Sequence, residues 1–176
     1  MTTRAILLVD FANFDCAIRK IKEKFGFSKE FIVNYKKLIR RFIKGHEVIE
    51  SNIYIGLKKN SNNHHGFFDY FKKDKYQIIT KEEKAIKLDD GSTKYKANFD
   101  VEIAFDACWH LAKGTCDEII LVSGDSDFSY LVKKIKALDL PIKIVSSNAT
   151  VSSELKDGAF LLDDIDISQY LFKRKI

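Results

Sequence analysis

No apolar run in this 176-residue chain approaches the ~20 residues that a membrane-spanning helix needs. The opening "MTTRAILLVDF" holds too short an apolar stretch for a signal peptide and meets an aspartate at once, so a cytoplasmic protein is expected. Cysteine is scarce. Cys16, Cys108 and Cys116 are odd in number and form no CxxC pair, which speaks against a disulfide framework and a zinc site. Adjacent helical residues point apart, so "CWH" at 108–110 makes a poor ligand set, and reduced, mostly buried thiols are expected. Internal repeats, low-complexity tracts and linkers are also missing. One domain over residues 1–176 is the expectation, long enough to bury a single good core.

What is present is globular in character, with 45% hydrophobic and 31% charged residues. The net charge of +5 hides an asymmetry. Residues 19–44 carry ten Lys/Arg against two Glu, and residues 58–96 carry ten against six. Residues 97–176 reverse the balance, with nine against thirteen. A basic front and an acidic back suggest a polyanion held near clustered carboxylates, although solvated lysine-rich helices give the same count.

"AILLVD" (5–10) is a continuous apolar run ended by an acid, as in a strand buried on both faces. Phe14, Ala17, Ile18, Ile21 and Phe25 follow at helical spacing, with Asn13 as N-cap and Gly26 as stop. A second helix is predicted from Ser28 to Gly45, with Phe31, Tyr35, Leu38, Ile39 and Phe42 as its stripe. "VIESNIYIGL" (48–57) and "YQIIT" (76–80) read as strands around a polar loop and a short helix at "FFDYFKK". "KAIKLDDGSTKYK" (84–96) reads as an exposed hairpin turning at Asp90-Gly91. A long helix is predicted from about Asn98 to Ala112, then strand "EIILV" (118–122), a helix from about Ser126 to Leu138 and strand "IKIVS" (142–146). "TVSSELKD" (150–157) is predicted as a short helix. Strands alternating with helices imply a three-layer α/β/α, Rossmann-like fold around a mainly parallel sheet.

In such sheets the working residues sit just past the carboxyl ends of the strands. "LLVDFAN" delivers Asp10 there, and "LVSGDSDFSYLV" delivers Asp125 and Asp127. Gly124 allows a tight turn, Ser126 can cap the following helix, and Asp127 suits that helix's first turn. Capping accounts for an acid there but not for Asp10. The third source is "KYKANFDVEIAFDACWHL" (94–111). Asp100 and Asp106 lie six residues apart, about 120° round a helix and ~9 Å along it, so they do not naturally face one ion. Asp100, at the helix start, is the metal-facing choice. Asp106, in an apolar neighbourhood, is either a deeper member of the site or a buried partner to a lysine or a backbone amide.

Carboxylates converging in one cleft repel unless a divalent cation lies between them, and oxygen ligands without histidine select Mg²⁺ or Mn²⁺. Metal ligands are therefore expected at Asp10, Asp100, Asp125 and Asp127. Phosphate contacts are expected from Lys36, Lys37, Arg40 and Arg41 on the second helix, and from Lys94 and Lys96 beside the acidic helix start. Asn13 could orient a water or a phosphate oxygen. His64 and His65 read as ordinary loop residues, with contact to a nucleobase or phosphate as their other role, and "KRK" (173–175) as a solvated end.

"LLVDFANF", "KANFDVEIAFDA", "LVSGDSDFSYLVKKIKALDLPIKIV" and "SSELKDGAFLLDD" resemble, in order and spacing, the NYN domain of the PIN-like nuclease superfamily, and most closely its LabA-like branch. The resemblance implies a metal-dependent ribonuclease acting on RNA, with Asp10, Asn13, Asp100, Asp106, Ser123, Asp125 and Asp127 at the matching positions. Two departures stand out: Phe11-Ala12 replaces the small glycine usual before the first-motif asparagine, and "ALDLP" stands where a glycine commonly precedes the next strand. A haloacid-dehalogenase-type phosphatase fits less well, because no acid stands two residues after Asp10 and Ser129 stands four after Asp125. "DSDFS" (125–129) is only loosely similar to the metal-adhesion motif of von Willebrand A-type domains, which belongs at the first strand. The stronger alternative is a non-catalytic RNA- or protein-binding module. RNA is the expected partner, a homodimer is allowed, and no membrane partner is expected.

Overall fold

The computed structural model describes residues 2–59 and 65–173. His64 and the end of the basic tail lie outside them. Strand β1 (Thr3–Asp10) is the hub of the sheet, and its residues Ala5 to Val9 have no solvent exposure. Alternation sends Ala5, Leu7 and Val9 to one face and Ile6 and Leu8 to the other. On the first face lie helices α1 (Phe11–Lys24) and α2 (Tyr35–Phe42), which precede and follow the short strand β2 (Phe31–Val33). Strand β3 (His46–Leu57), helix α3 (His65–Lys72) and strand β4 (Gln77–Glu82) complete that half.

The chain then forms the hairpin β5 (Lys84–Lys87) and β6 (Thr93–Lys96), turning at Gly91 as expected. Helix α4 (Asp100–Ala112) follows, then β7 (Glu118–Val122), α5 (Ser129–Ala137), β8 (Ile142–Ser146), β9 (Phe160–Leu161) and β10 (Leu171–Lys173). Ile103, Ala107, Leu131 and Ile135 pack α4 and α5 on the second face. The six-stranded sheet runs β4-β3-β1-β7-β8-β9, and every neighbouring pair is parallel. The order therefore splits between β1 and β7, opening a crevice beyond their carboxyl ends. Among the described residues, no helix is long and apolar enough to cross a membrane.

Several local readings change. Helix α2 starts later than the periodicity predicts, because Phe31–Val33 pair antiparallel with β10 and Asn34 caps the helix. Phe25 is exposed rather than part of the α1 stripe. Residues 150–157 form turns, not a helix: the Ser152 amide bonds to Gly124 O at 2.8 Å instead of continuing a helical ladder. Of the thiols, Cys116 is buried, but Cys108 is exposed on the outer side of α4.

Candidate active site

A cleft of about 440 Å³ lies at the split between β1 and β7, and Asp10, Asn13, Asp100 and Asp125 all line it. Asp10 ends β1 and caps α1, its Oδ1 accepting the Asn13 amide at 3.2 Å. Asn13 is thus not the cap but a first-turn residue. Its own Oδ1 accepts the Gly124 amide at 3.0 Å, tying the β7 loop to α1.

A chain of hydrogen bonds fixes that loop. Ser123 Oγ donates to Asp10 Oδ2 at 3.3 Å and accepts the Asp125 amide at 3.3 Å. Asp125 Oδ1 in turn accepts the Asp127 amide at 3.2 Å, so Asp125 rather than Ser126 caps the 3₁₀ turn Ser126–Phe128 that leads into α5. Gly124 is needed for close approach. A Cβ there would sit 2.5 Å from Thr150 O and 2.7 Å from Val151 Cα, both backbone atoms that cannot move aside cheaply.

Asp100 enters at the start of α4, its amide bonded to Asn98 Oδ1 at 2.9 Å. Burial raises its proton affinity first, and the charges of Asp125 and Asp127 raise it further, while Lys96 opposes them. Asp10 is raised by burial, and then by Asp100 and Asp125 against the two hydrogen bonds it accepts. Three carboxylates from three separate elements therefore sense one another in one cleft. Asp127 is exposed and does not line the cleft, although its charge reaches Asp100.

Asp106 stands elsewhere. It accepts a hydrogen bond from the Tyr54 hydroxyl and a long one, at 3.5 Å, from the Asn52 amide, instead of meeting a lysine or a backbone amide. Tyr54 lines the cleft and Asp106 does not, so Asp106 touches the cleft wall through its bond to Tyr54. Burial, then the Asp106 bond, pushes the Tyr54 hydroxyl far above its ordinary pKa and keeps it a donor.

The predicted basic residues divide. Lys94 and Lys96 line the cleft. Lys36 and Arg40 instead hold Asp74 at 2.9 and 3.2 Å, and Lys36 also lies 4.3 Å from the Tyr70 ring centre. Lys37 donates to Gln169 O at 2.9 Å. Arg41 is exposed, and none of these four lines the cleft.

One residue escaped the sequence reading. Glu83 lines the cleft directly after β4, and its Oε2 is buried with no hydrogen-bond partner among the described residues. The rule that found Asp10, an acid just past a strand end, points to Glu83 equally well. A Cβ on Gly56 would come within 2.9 Å of the Glu83 side chain, so the glycine at the end of β3 makes room for it.

This donor set of carboxylates, with one orphaned buried oxygen, suits a hard divalent cation. As the side chains lie, no group of three His, Cys, Asp or Glu among the described residues is gathered to hold one.

The NYN domain model matches residues 4–163, which include every carboxylate named above. The low amplitude and bright protein LabA of Synechococcus elongatus is 29% identical over 130 residues, covering 72% of this chain and 68% of that protein. A crystal structure of a protein of unknown function from Vibrio parahaemolyticus shares the fold, with a TM-score of 0.68, 23% identity and 97% of both chains covered. The chain belongs to the NYN domain family, and its likeness to LabA supports the LabA-like branch.

Proposed function

We propose that the chain is a divalent-metal-dependent ribonuclease that hydrolyses RNA phosphodiester bonds in the cleft between β1 and β7. The observation that carries this reading is the meeting of Asp10, Asp100 and Asp125, delivered by three different elements, with mutual repulsion that nothing else in the fold requires. Membership of a family with the PIN-like nuclease fold supports it.

Asp10, Asp100 and Asp125 are the residues that would hold Mg²⁺ or Mn²⁺, with Glu83 beside them. Such an ion, when bound, makes water more acidic and neutralises charge building on the phosphate. The chain's own groups do the rest. Ser123 and Asn13 fix Asp10 and the β7 loop in position. Lys94 and Lys96 hold the phosphate backbone at the cleft rim. Tyr54, kept protonated, forms part of the wall.

The test is incubation with mixed RNA in Mn²⁺ or EDTA, followed by mapping of the product ends. Cleavage should need the metal, leave 5′-phosphate and 3′-hydroxyl ends, and vanish in Asp100→Asn while RNA binding survives. Cleavage that persists in EDTA, or 2′,3′-cyclic phosphate products, would defeat the mechanism.

A second reading has its own observation. Asp125 already spends an oxygen on capping, and the carboxylates do not close on one point as they stand. A non-catalytic RNA- or protein-binding module would need no more than that. It is the outcome if neither cleavage nor any Mn²⁺-induced rise in melting temperature is found.

A further inference from the structure

The β5–β6 hairpin is costly to explain as scaffold. Among the described residues it pairs only with itself, and all eight of its strand residues are exposed. Its register sets Lys84 directly opposite Lys96. Like charges facing across an antiparallel pair destabilise it. Among the described residues, neither lysine forms an ion pair, and Lys96 feels Asp100 only as a neighbouring charge.

Next to Lys96 stands Tyr95, 55% exposed and opposite the small Ala85. Among the described residues its ring meets no other ring and its hydroxyl makes no hydrogen bond. Tyr95 and Glu83 belong both to the carboxylate cleft and to an adjoining recess of about 790 Å³. That recess is also lined by Lys58, Lys59 and Lys84, with Glu82 partly offset by Lys59 at 3.7 Å.

The two recesses thus form one groove, acidic at the deep end and lysine-bearing at the outer end, with a bare aromatic ring between. We propose that Tyr95 is a stacking shelf for an unpaired base of the RNA strand, and that Lys84 and Lys96 bracket an adjacent phosphate. A ring accepts any base on its face, and lysines track the backbone without reading sequence. A base held in a duplex has no free face to offer. The hairpin therefore seats a strand whose scissile phosphate lies at the carboxylates, and it selects single-stranded over paired segments just outside the cut. This rests on the cleft taking RNA, as proposed above.

The test is fluorescence anisotropy with a dye-labelled single-stranded RNA and its duplex, in EDTA and again with Ca²⁺. Tyr95→Ala should weaken single-strand binding about tenfold, the loss of one base–aromatic stack, with little change in melting temperature because the ring is exposed. Tyr95→Trp should restore affinity, and its fluorescence should be quenched by the single strand beyond the change seen in wild type, and not by the duplex. Lys84→Ala with Lys96→Ala should weaken binding and flatten its salt dependence. Tyr95→Ala binding like wild type, or equal quenching by duplex, overturns the shelf and leaves the ribonuclease reading standing. Wild type that binds no RNA in either condition overturns both.

Discussion

Burial, followed by the charges of Asp100 and Asp125, makes Asp10 hold its proton more tightly in the fold than in the unfolded chain. The native state then binds more protons across the interval from the ordinary carboxylate pKa, about 3.9, up to the raised value. Stability from this group is complete below that interval and falls as pH rises through it. Asp10→Asn keeps the cap, since asparagine caps as well as aspartate. In EDTA at pH 7 it should melt no lower than wild type, and its advantage should shrink as pH falls through the carboxylate range. Thermal melts between pH 4 and 7 check this, and a wild type that melts higher at pH 7 would show that Asp10 is simply structural. Tyr54→Phe asks the reverse question of Asp106, which would lose its hydroxyl donor. The expected cost is about 1–3 kcal/mol in a denaturant melt, with the response to Mn²⁺ kept.

Among the elements, the β7 loop depends on partners far away in sequence. Gly124→Ala should cost about 1–3 kcal/mol, because the new methyl meets the backbone of Thr150 and Val151. Asn13→Ala should cost a similar amount by leaving the Gly124 amide unpaired. Both should also reduce the affinity for Mn²⁺, whereas an exposed α5 substitution such as Lys136→Ala should do neither. The same dependence explains what could be read from the sequence. Strand ends were legible because apolar runs closed by acids are local patterns, and Asp10 and Asp125 were found that way, whereas Asp100 was found at the start of a predicted helix. The caps were not, because Asp10 and Asp125 use their carboxylates on amides two or three residues ahead while Asn13 reaches across to β7. Residues 150–157 read as a short helix, yet Gly124 O takes the Ser152 amide that would have extended one.

Across the whole molecule, charge asymmetry alone did not say which lysines face the cleft. Lys36, Lys37 and Arg40 are engaged with the protein's own surface, while Lys94 and Lys96 stand at the cleft. Reversing Lys94 and Lys96 to Glu should weaken RNA binding and reduce the salt slope by about 1.4 for a single strand, near 0.7 per phosphate contact. Reversing Lys36, Lys37, Arg40 and Arg41 should instead lower the melting temperature, because Asp74 loses both of its partners. An affinity loss with the second set as large as with the first would move the RNA path onto α2. Metal is the remaining whole-fold lever. Mn²⁺ at 100 times its dissociation constant should stabilise by roughly 2.7 kcal/mol, which in a chain of this size is a rise of roughly 5–11 °C. Asp10→Asn and Asp125→Asn should lose most of that rise.

The split sheet order has a consequence during synthesis on the ribosome. Strand β1 emerges first and can pair with β3 once residue 57 is made, but its other edge waits for β7, which begins at residue 118. At roughly 5–20 residues per second, that edge stands open for roughly 3–12 s after β3 is complete. The exposed stretch is Ala5 to Val9, without one charge to discourage pairing with another nascent chain. The crevice that gathers the carboxylates therefore leaves each new molecule with a sticky edge for several seconds, and slowed translation between β3 and β7 should lengthen that interval and lower the soluble yield.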